Sequence, residues 1–168
     1  MPQPPRFPVI DGFEFAAAGE RLRGTWPVNA FPRLRGLLYD DQGSVEYEMH
    51  GVRDVLGHPG LALRVAGSLR LACRRCLEPV QVAVLEDARL WLARSQAEID
   101  AQPLAADGPD GVVASREMAV RDLVEDELLL ALPPAPQHED CPERGDAPGS
   151  RQSPFAGLRG MLRGGHRH

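Results

Sequence analysis

The chain has 168 residues, 43% of them hydrophobic and 26% charged, with a net charge of −5. That composition excludes wholesale disorder, and a chain of this length suits one domain that buries roughly two-thirds of its unfolded surface. No apolar run reaches the roughly 20 residues a membrane helix needs, and MPQPPRFPVIDGFEF lacks the basic flank and apolar stretch of a secretory signal, so the expected location is the cytosol.

Charge is uneven along the chain. Residues 1–80 carry ten arginines against nine acids, residues 81–148 five against fifteen, and residues 149–168 four against none. Lysine is absent, so every cation is a planar guanidinium. An acidic middle disfavours broad electrostatic binding to nucleic acid but leaves room for a local arginine patch.

Residues 1–18 begin Pro-rich and read as a loosely ordered segment, with Phe7, Val9, Phe13 and Phe15 available to pack on the domain. The domain itself is expected over 19–141. Leu22, Gly24, Trp26 and Val28 alternate as a short strand, and Pro27 favours a sheet edge. Asn29 reads as the cap of a short helix through Leu38. Val45, Tyr47 and Met49 alternate, then the phase shifts past Gly51, which suggests a strand with a bulge. Two longer alternating runs follow, Leu61–Leu71 and Pro79–Ala93, around the connector CRRCLEP; they predict an antiparallel hairpin over about 61–93. Residues 95–115 read as an acidic surface loop. A helix is predicted over 116–132, capped by Ser115 and stopped by Pro133 and Pro134, with Val120, Leu123, Val124 and Leu128 on its apolar face. Residues 142–168 read as a flexible basic tail holding one short helical stripe of Phe155, Leu158 and Leu162. The fold class expected is therefore α+β: an antiparallel sheet around the central hairpin, one main packing helix and a mobile C-terminal tail.

Three groups of residues carry chemistry. Cys73 and Cys76 lie two residues apart in the hairpin connector, and His138 and Cys141 repeat that spacing after the helix. Such spacing lets paired side chains reach one tetrahedral zinc, and Cys₃His closes a structural site. The alternative is two turn cysteines near a His and a Cys in a tail. A redox pair is also conceivable, since Arg74 and Arg75 favour thiolates, but thiol–disulfide enzymes place the motif at a helix start in a βαβ unit. The second group is the run Glu125–Pro133, where Glu127 falls among the apolar positions. It is expected either to bond an arginine from the sheet or to serve a function; with Asp126 it could support metal-dependent acid–base chemistry on RNA. The third is arginine density: Arg70, Arg74 and Arg75 at the hairpin tip, and Arg159 and Arg163 in the tail. These suit contact with phosphate, or simply a solvated surface with a tail that balances the acidic middle. No Gly-rich phosphate loop, G-x-S-x-G or H-E-x-x-H is present, and no small-molecule substrate is indicated.

LRLACRRCLEPV, then VRDLVEDELLLALPPAPQHEDC, then SPFAGLRGML, in that order, resembles the bacterial YceD family; the earlier FPRLRGLL and VEYEMHGV fit its N-terminal half. The resemblance spans roughly residues 20–162. Its family-like positions are Cys73, Arg75, Cys76, Leu77, Pro79, Asp126, Glu127, Leu128, Pro133, His138 and Cys141. It implies a cytoplasmic, non-enzymatic factor in the synthesis, processing or stability of 23S rRNA, partnered by rRNA or by a large-subunit ribosomal or assembly protein. A zinc-stabilised interaction module unrelated to ribosomes is the competing reading, with the RNA-processing enzyme behind it.

Overall fold

The two long alternating runs pair with each other at the centre of the molecule. The structure is a computed structural model that describes residues 7–54, 57–102 and 108–141. Its elements in chain order are β1 (Val9–Ile10), α1 (Gly12–Ala18), β2 (Arg21–Pro27), β3 (Ser44–Arg53), β4 (Pro59–Ala72), β5 (Pro79–Ala93), α2 (Gln96–Asp100), β6 (Asp110–Val113), β7 (Met118–Ala119) and α3 (Val120–Ala131). The central pair β4–β5 runs antiparallel in unbroken register from Gly60–Trp91 to Ala72–Pro79. β3 joins the other side of β4 and β2 joins β3, giving a five-stranded sheet in the order β2-β3-β4-β5-β6. The fold is α+β with an antiparallel hairpin at its centre.

Period-two alternation divides the sheet into two faces. Trp26, Val45, Tyr47, Met49, Leu61, Leu63, Val65, Leu69, Val84, Leu90 and Leu92 point inward, onto Phe15 and Ala16 of α1 and Val120, Leu123, Val124 and Leu128 of α3. Each large apolar side chain buried this way is worth about 1.5–3 kcal/mol. Arg23, Thr25, Glu46, Glu48 and Arg64 face solvent on the other side.

Several expectations need correction. The described part of the segment expected to be loose forms two elements: β1 pairs with β7, and α1 is capped by the Asp11 carboxylate on Glu14 N–H. The expected bulge at Gly51 is absent, because β3 and β4 keep one register through it. Gly51 is there for space: a Cβ would lie 2.5 Å from the Phe15 carbonyl oxygen where α1 crosses the strand. The loop over 95–115 contains α2 and β6, and β6 runs parallel to β5, so one edge of the sheet is not antiparallel. The main helix begins at Val120 rather than Arg116, because Met118 and Ala119 are spent pairing with β1. The predicted tail, with its helical stripe, lies outside the described residues.

The helix expected from Asn29 to Leu38 is instead two single 3₁₀ turns, Val28–Ala30 and Leu34–Gly36. Pro32 pushes Phe31 into extended backbone, at φ −104° and ψ 99°. The N–H groups of Arg33 and Leu34 then go to another element. Both donate to Oε1 of Glu125 on α3, at 2.6 and 3.3 Å. Arg33 also donates from Nε to Glu125 Oε2 at 3.0 Å, from Nη1 to Asp126 Oδ1 at 2.5 Å and from Nη2 to the Asp122 carbonyl at 3.2 Å. Glu125 is 1% exposed, so this segment holds a buried carboxylate in place and fixes α3 against the sheet.

Arg33→Ala would leave that carboxylate with two backbone donors and no counter-charge. It is expected to cost about 3 kcal/mol in urea denaturation. Arg35→Ala, two residues away and exposed, is expected to cost less than about 0.5 kcal/mol.

Candidate metal centre

The hairpin tip is a tight knuckle. Cys73 N–H donates to the Glu78 carbonyl at 2.9 Å, Leu77 N–H to the Cys73 carbonyl at 3.0 Å, and Arg75 N–H to Cys73 Sγ at 3.4 Å. Closing it puts Leu77 at φ 67°, the one non-glycine among the described residues in the left-handed region. Pro133 and Pro134 end α3, and the chain turns back to the tip. Arg74 N–H donates to the Pro136 carbonyl at 2.9 Å, Cys141 N–H to the His138 carbonyl at 3.3 Å, and Arg75 Nη1 to the Cys141 carbonyl at 3.5 Å.

These bonds gather Cys73, Cys76, His138 and Cys141, whose donor atoms all lie within 4.8 Å of one another. Cys73 Sγ is 3.6 Å from Cys141 Sγ, and Cys76 Sγ is 3.5 Å from His138 Nδ1. In a tetrahedron with metal–sulfur bonds of about 2.3 Å, sulfurs stand about 3.8 Å apart. The cluster therefore fits a metal ion of zinc's size and preference. The three thiols are free of disulfides. His138 Nε2 lies 3.0 Å from the Pro79 carbonyl. A carbonyl can only accept, so Nε2 carries the proton and Nδ1 is turned to the sulfurs, the orientation a metal-binding imidazole needs. Leu71 and Val80 are buried with Cys73 and Cys141, and Leu38, Val82 and Leu132 pack against them, so the donors sit beside a small apolar cluster of their own.

Electrostatics point the same way. Burial opposes a Cys73 thiolate, but the N–H groups of Cys76 and Arg75 and the Cys141 thiol outweigh it and bring its pKa down to about 5. Burial, and then the neighbouring Cys73 and Cys76, push Cys141 up to about 11. The Pro79 carbonyl first, and Cys73 second, hold the His138 imidazolium above the usual histidine range. Without metal the cluster must retain protons to coexist; a dication would replace them.

The other residues singled out by sequence are not gathered. Arg70 is held by Asp40 at 2.5 Å and Gln42 at 3.2 Å, and lies over the Tyr39 ring. Arg75 reaches toward Cys141, and the Arg74 side chain is exposed. Asp126 and Glu127, adjacent in sequence, have opposite surroundings: Asp126 is exposed and held by Arg33, whereas Glu127 is 9% exposed. The expected arginine partner of Glu127 belongs to Glu125 instead, and comes from the segment after β2 rather than from the sheet. Arg159 and Arg163 lie outside the described residues. Sequence reading missed Arg33 and Glu125; the signal was a second acid, Glu125, directly beside the apolar position Val124.

A glycine takes positive φ without the clash a leucine meets. Leu77→Gly is expected to leave stability unchanged or raise it by up to about 1 kcal/mol, although it deletes a large side chain. Leu77→Val, β-branched, should lower stability by more than about 1 kcal/mol. Urea midpoints of the two variants check the knuckle's backbone.

No curated protein and no solved structure matches the chain. The profile of the family described as large ribosomal RNA subunit accumulation protein YceD matches residues 61–160. That range starts with β4 and takes in the hairpin, α3 and all four clustered donors, but not residues 20–60, where the resemblance read from the sequence also extended. Covering more than half of the chain, the match establishes that this protein belongs to the YceD family.

Proposed function

We propose that this chain is a cytoplasmic, non-enzymatic factor that supports the synthesis, processing or stability of 23S rRNA, built on a zinc-closed knuckle. The observation that carries the non-enzymatic reading is the donor count. Four protein side chains converge on one point, and four fill a tetrahedral ion's coordination sphere. A catalytic zinc keeps one position for water or substrate. The two acids that a metal-dependent RNA-processing enzyme would use also face different surroundings, one on Arg33 and one within the fold. Family membership supports the ribosomal role over an unrelated zinc module.

The distribution of charge favours a basic protein of the large subunit over direct contact with rRNA. Of the three arginines at the hairpin tip, Arg70 is occupied by Asp40 and Arg75 reaches Cys141. Residues 81–148 carry fifteen acids against five arginines, a field that repels phosphate and attracts basic proteins. Among the described residues no helix is long and apolar enough to cross a membrane.

Crosslinking in cells, followed by mass spectrometry of attached protein and sequencing of attached RNA, separates the two. A ribosomal or assembly protein is expected as the main adduct. Direct enrichment of 23S precursor without such a protein would move the contact to the arginines. Ribosome-free adducts alone would contradict the role.

A further inference from the structure

The five-stranded sheet ends on one side in a strand with a free outer edge. β2 pairs with β3 alone. Its hydrogen-bonding phase is pinned at both ends: Gly51 N–H donates to the Glu20 carbonyl at 2.9 Å, and Val28 N–H to the Gly43 carbonyl at 3.1 Å. Antiparallel pairs alternate between bonded and non-bonded positions, so Leu22, Gly24 and Trp26 bond to β3. The N–H and C=O groups of Arg21, Arg23 and Thr25 therefore point away from the sheet, and they have no backbone partner among the described residues. The side chains of these three residues are exposed and project from the solvent face. Arg21 stands opposite His50 and Arg23 opposite Glu48, yet neither guanidinium makes a hydrogen bond or ion pair with a described residue. The other face of the edge is apolar. Leu22 is half-buried, Trp26 is buried, and the Tyr47 ring lies over Gly24, where a Cβ would come within 2.8 Å of Tyr47 Cε1.

Charge and proline on an edge strand protect it against a second copy, and they do so here. Two β2 edges meeting about a twofold axis put Arg21 opposite Arg23, or Arg23 opposite itself. The register that avoids both sets Pro27, which has no N–H, opposite Arg21. An opposite charge directly across a strand pair attracts instead. Side chains return to one face every second residue, so two acids must lie two positions apart to meet both arginines. The segments of this chain outside the described residues do not provide that pattern. Residues 1–6 hold three prolines and no acid, 55–56 no acid, 103–107 a single acid, and 149–168 four arginines and no acid. The acids of 142–148, Glu143 and Asp146, are three positions apart.

We propose that the free edge of β2 takes up an extended segment of an acidic protein partner as an added antiparallel strand. Two of its acids, two positions apart, face Arg21 and Arg23. The residue between them is apolar and lies on the Leu22 side. Backbone bonds to Arg21, Arg23 and Thr25 attach the segment, and the arginines select the sign of its charge. This goes beyond the basic large-subunit partner and does not rest on it: it concerns a partner of opposite charge, at the sheet edge farthest from β6.

The test uses the full chain, purified with its metal, and a fluorescent nine-residue peptide alternating Glu and Val, followed by anisotropy at physiological salt. Opposite Arg21 and Arg23 in an antiparallel pair, the glutamates' own N–H groups point to β2. A copy N-methylated at the glutamates keeps the charge and loses those donors. A copy N-methylated at the valines loses donors only on its far edge. The valine-methylated copy is expected to bind within about threefold of the unmodified peptide, and the glutamate-methylated copy about tenfold or more weakly. Arg21→Gln with Arg23→Gln should weaken the unmodified peptide about tenfold. Thr25→Pro, which removes an edge donor and no charge, should weaken it about threefold or more. Arg89→Gln, in the same cross-strand row beyond His50 and Ala62, should change it less than about twofold. Equal binding by the glutamate-methylated copy would overturn strand addition, as would a loss in Arg89→Gln equal to that in the double variant. A single-stranded RNA of the same charge that binds more tightly than the peptide would make the arginines a phosphate surface and overturn it too. A dimer of the free chain that the peptide dissociates would make a second copy the occupant, with the same consequence.

Discussion

The convergence of four side chains at the hairpin tip is the constraint on which the rest depends. β4 and β5 are fourteen and fifteen residues long, and their far end reaches beyond β3, whose pairing with β4 stops at Gly67. That overhanging end has its own small apolar cluster, too small to hold a long hairpin by itself. The segment after α3 supplies what is missing. It brings His138 and Cys141 onto Cys73 and Cys76, and it gives Arg74 N–H a carbonyl from Pro136. One ion at this point would tie the middle of the chain to residues more than sixty positions later, where loop-closure entropy makes a cross-link most effective.

A second clasp acts on the middle of α3. Arg33 and the two backbone donors around it take the acids near the middle of the helix, while the knuckle holds the segment that follows it. α3 is thus positioned by polar contacts on both sides of its apolar stripe. Among the described residues, Glu127 on the same helix has no hydrogen-bond or ion-pair partner.

Much of this was legible in the sequence, and the failures have physical causes. The hairpin could be read because Leu61–Leu71 and Pro79–Ala93 alternate without interruption around a short connector, and β5 keeps those bounds. The donor set could be read because Cys-x-x-C and His-x-x-C are short local spacings. The helix proposed over 29–38 failed because Pro32 extends Phe31 and the N–H groups of Arg33 and Leu34 are taken by Glu125, a residue 92 positions away from Arg33 that no local pattern reveals. Gly51 was read as a bulge because a phase shift and a missing side chain look alike in sequence, whether the cause is an extra residue or the crossing of α1. β6 failed for want of length: four residues pairing in parallel at an edge carry almost no periodicity. α2 did have a signal, Ser95 followed by Glu98, with the Ser95 hydroxyl accepting from Glu98 N–H and the Glu98 carboxylate from Arg94 N–H, but the acidic surroundings masked it.

The most direct test of the account is the metal content of the native full chain together with its melting temperature before and after chelation. The account predicts about one equivalent of zinc, a fall of more than about 10 °C on chelation, and the same fall in Cys73→Ser without chelator. Metal well below one equivalent, with a melting temperature that neither chelator nor Cys73→Ser moves, would contradict it.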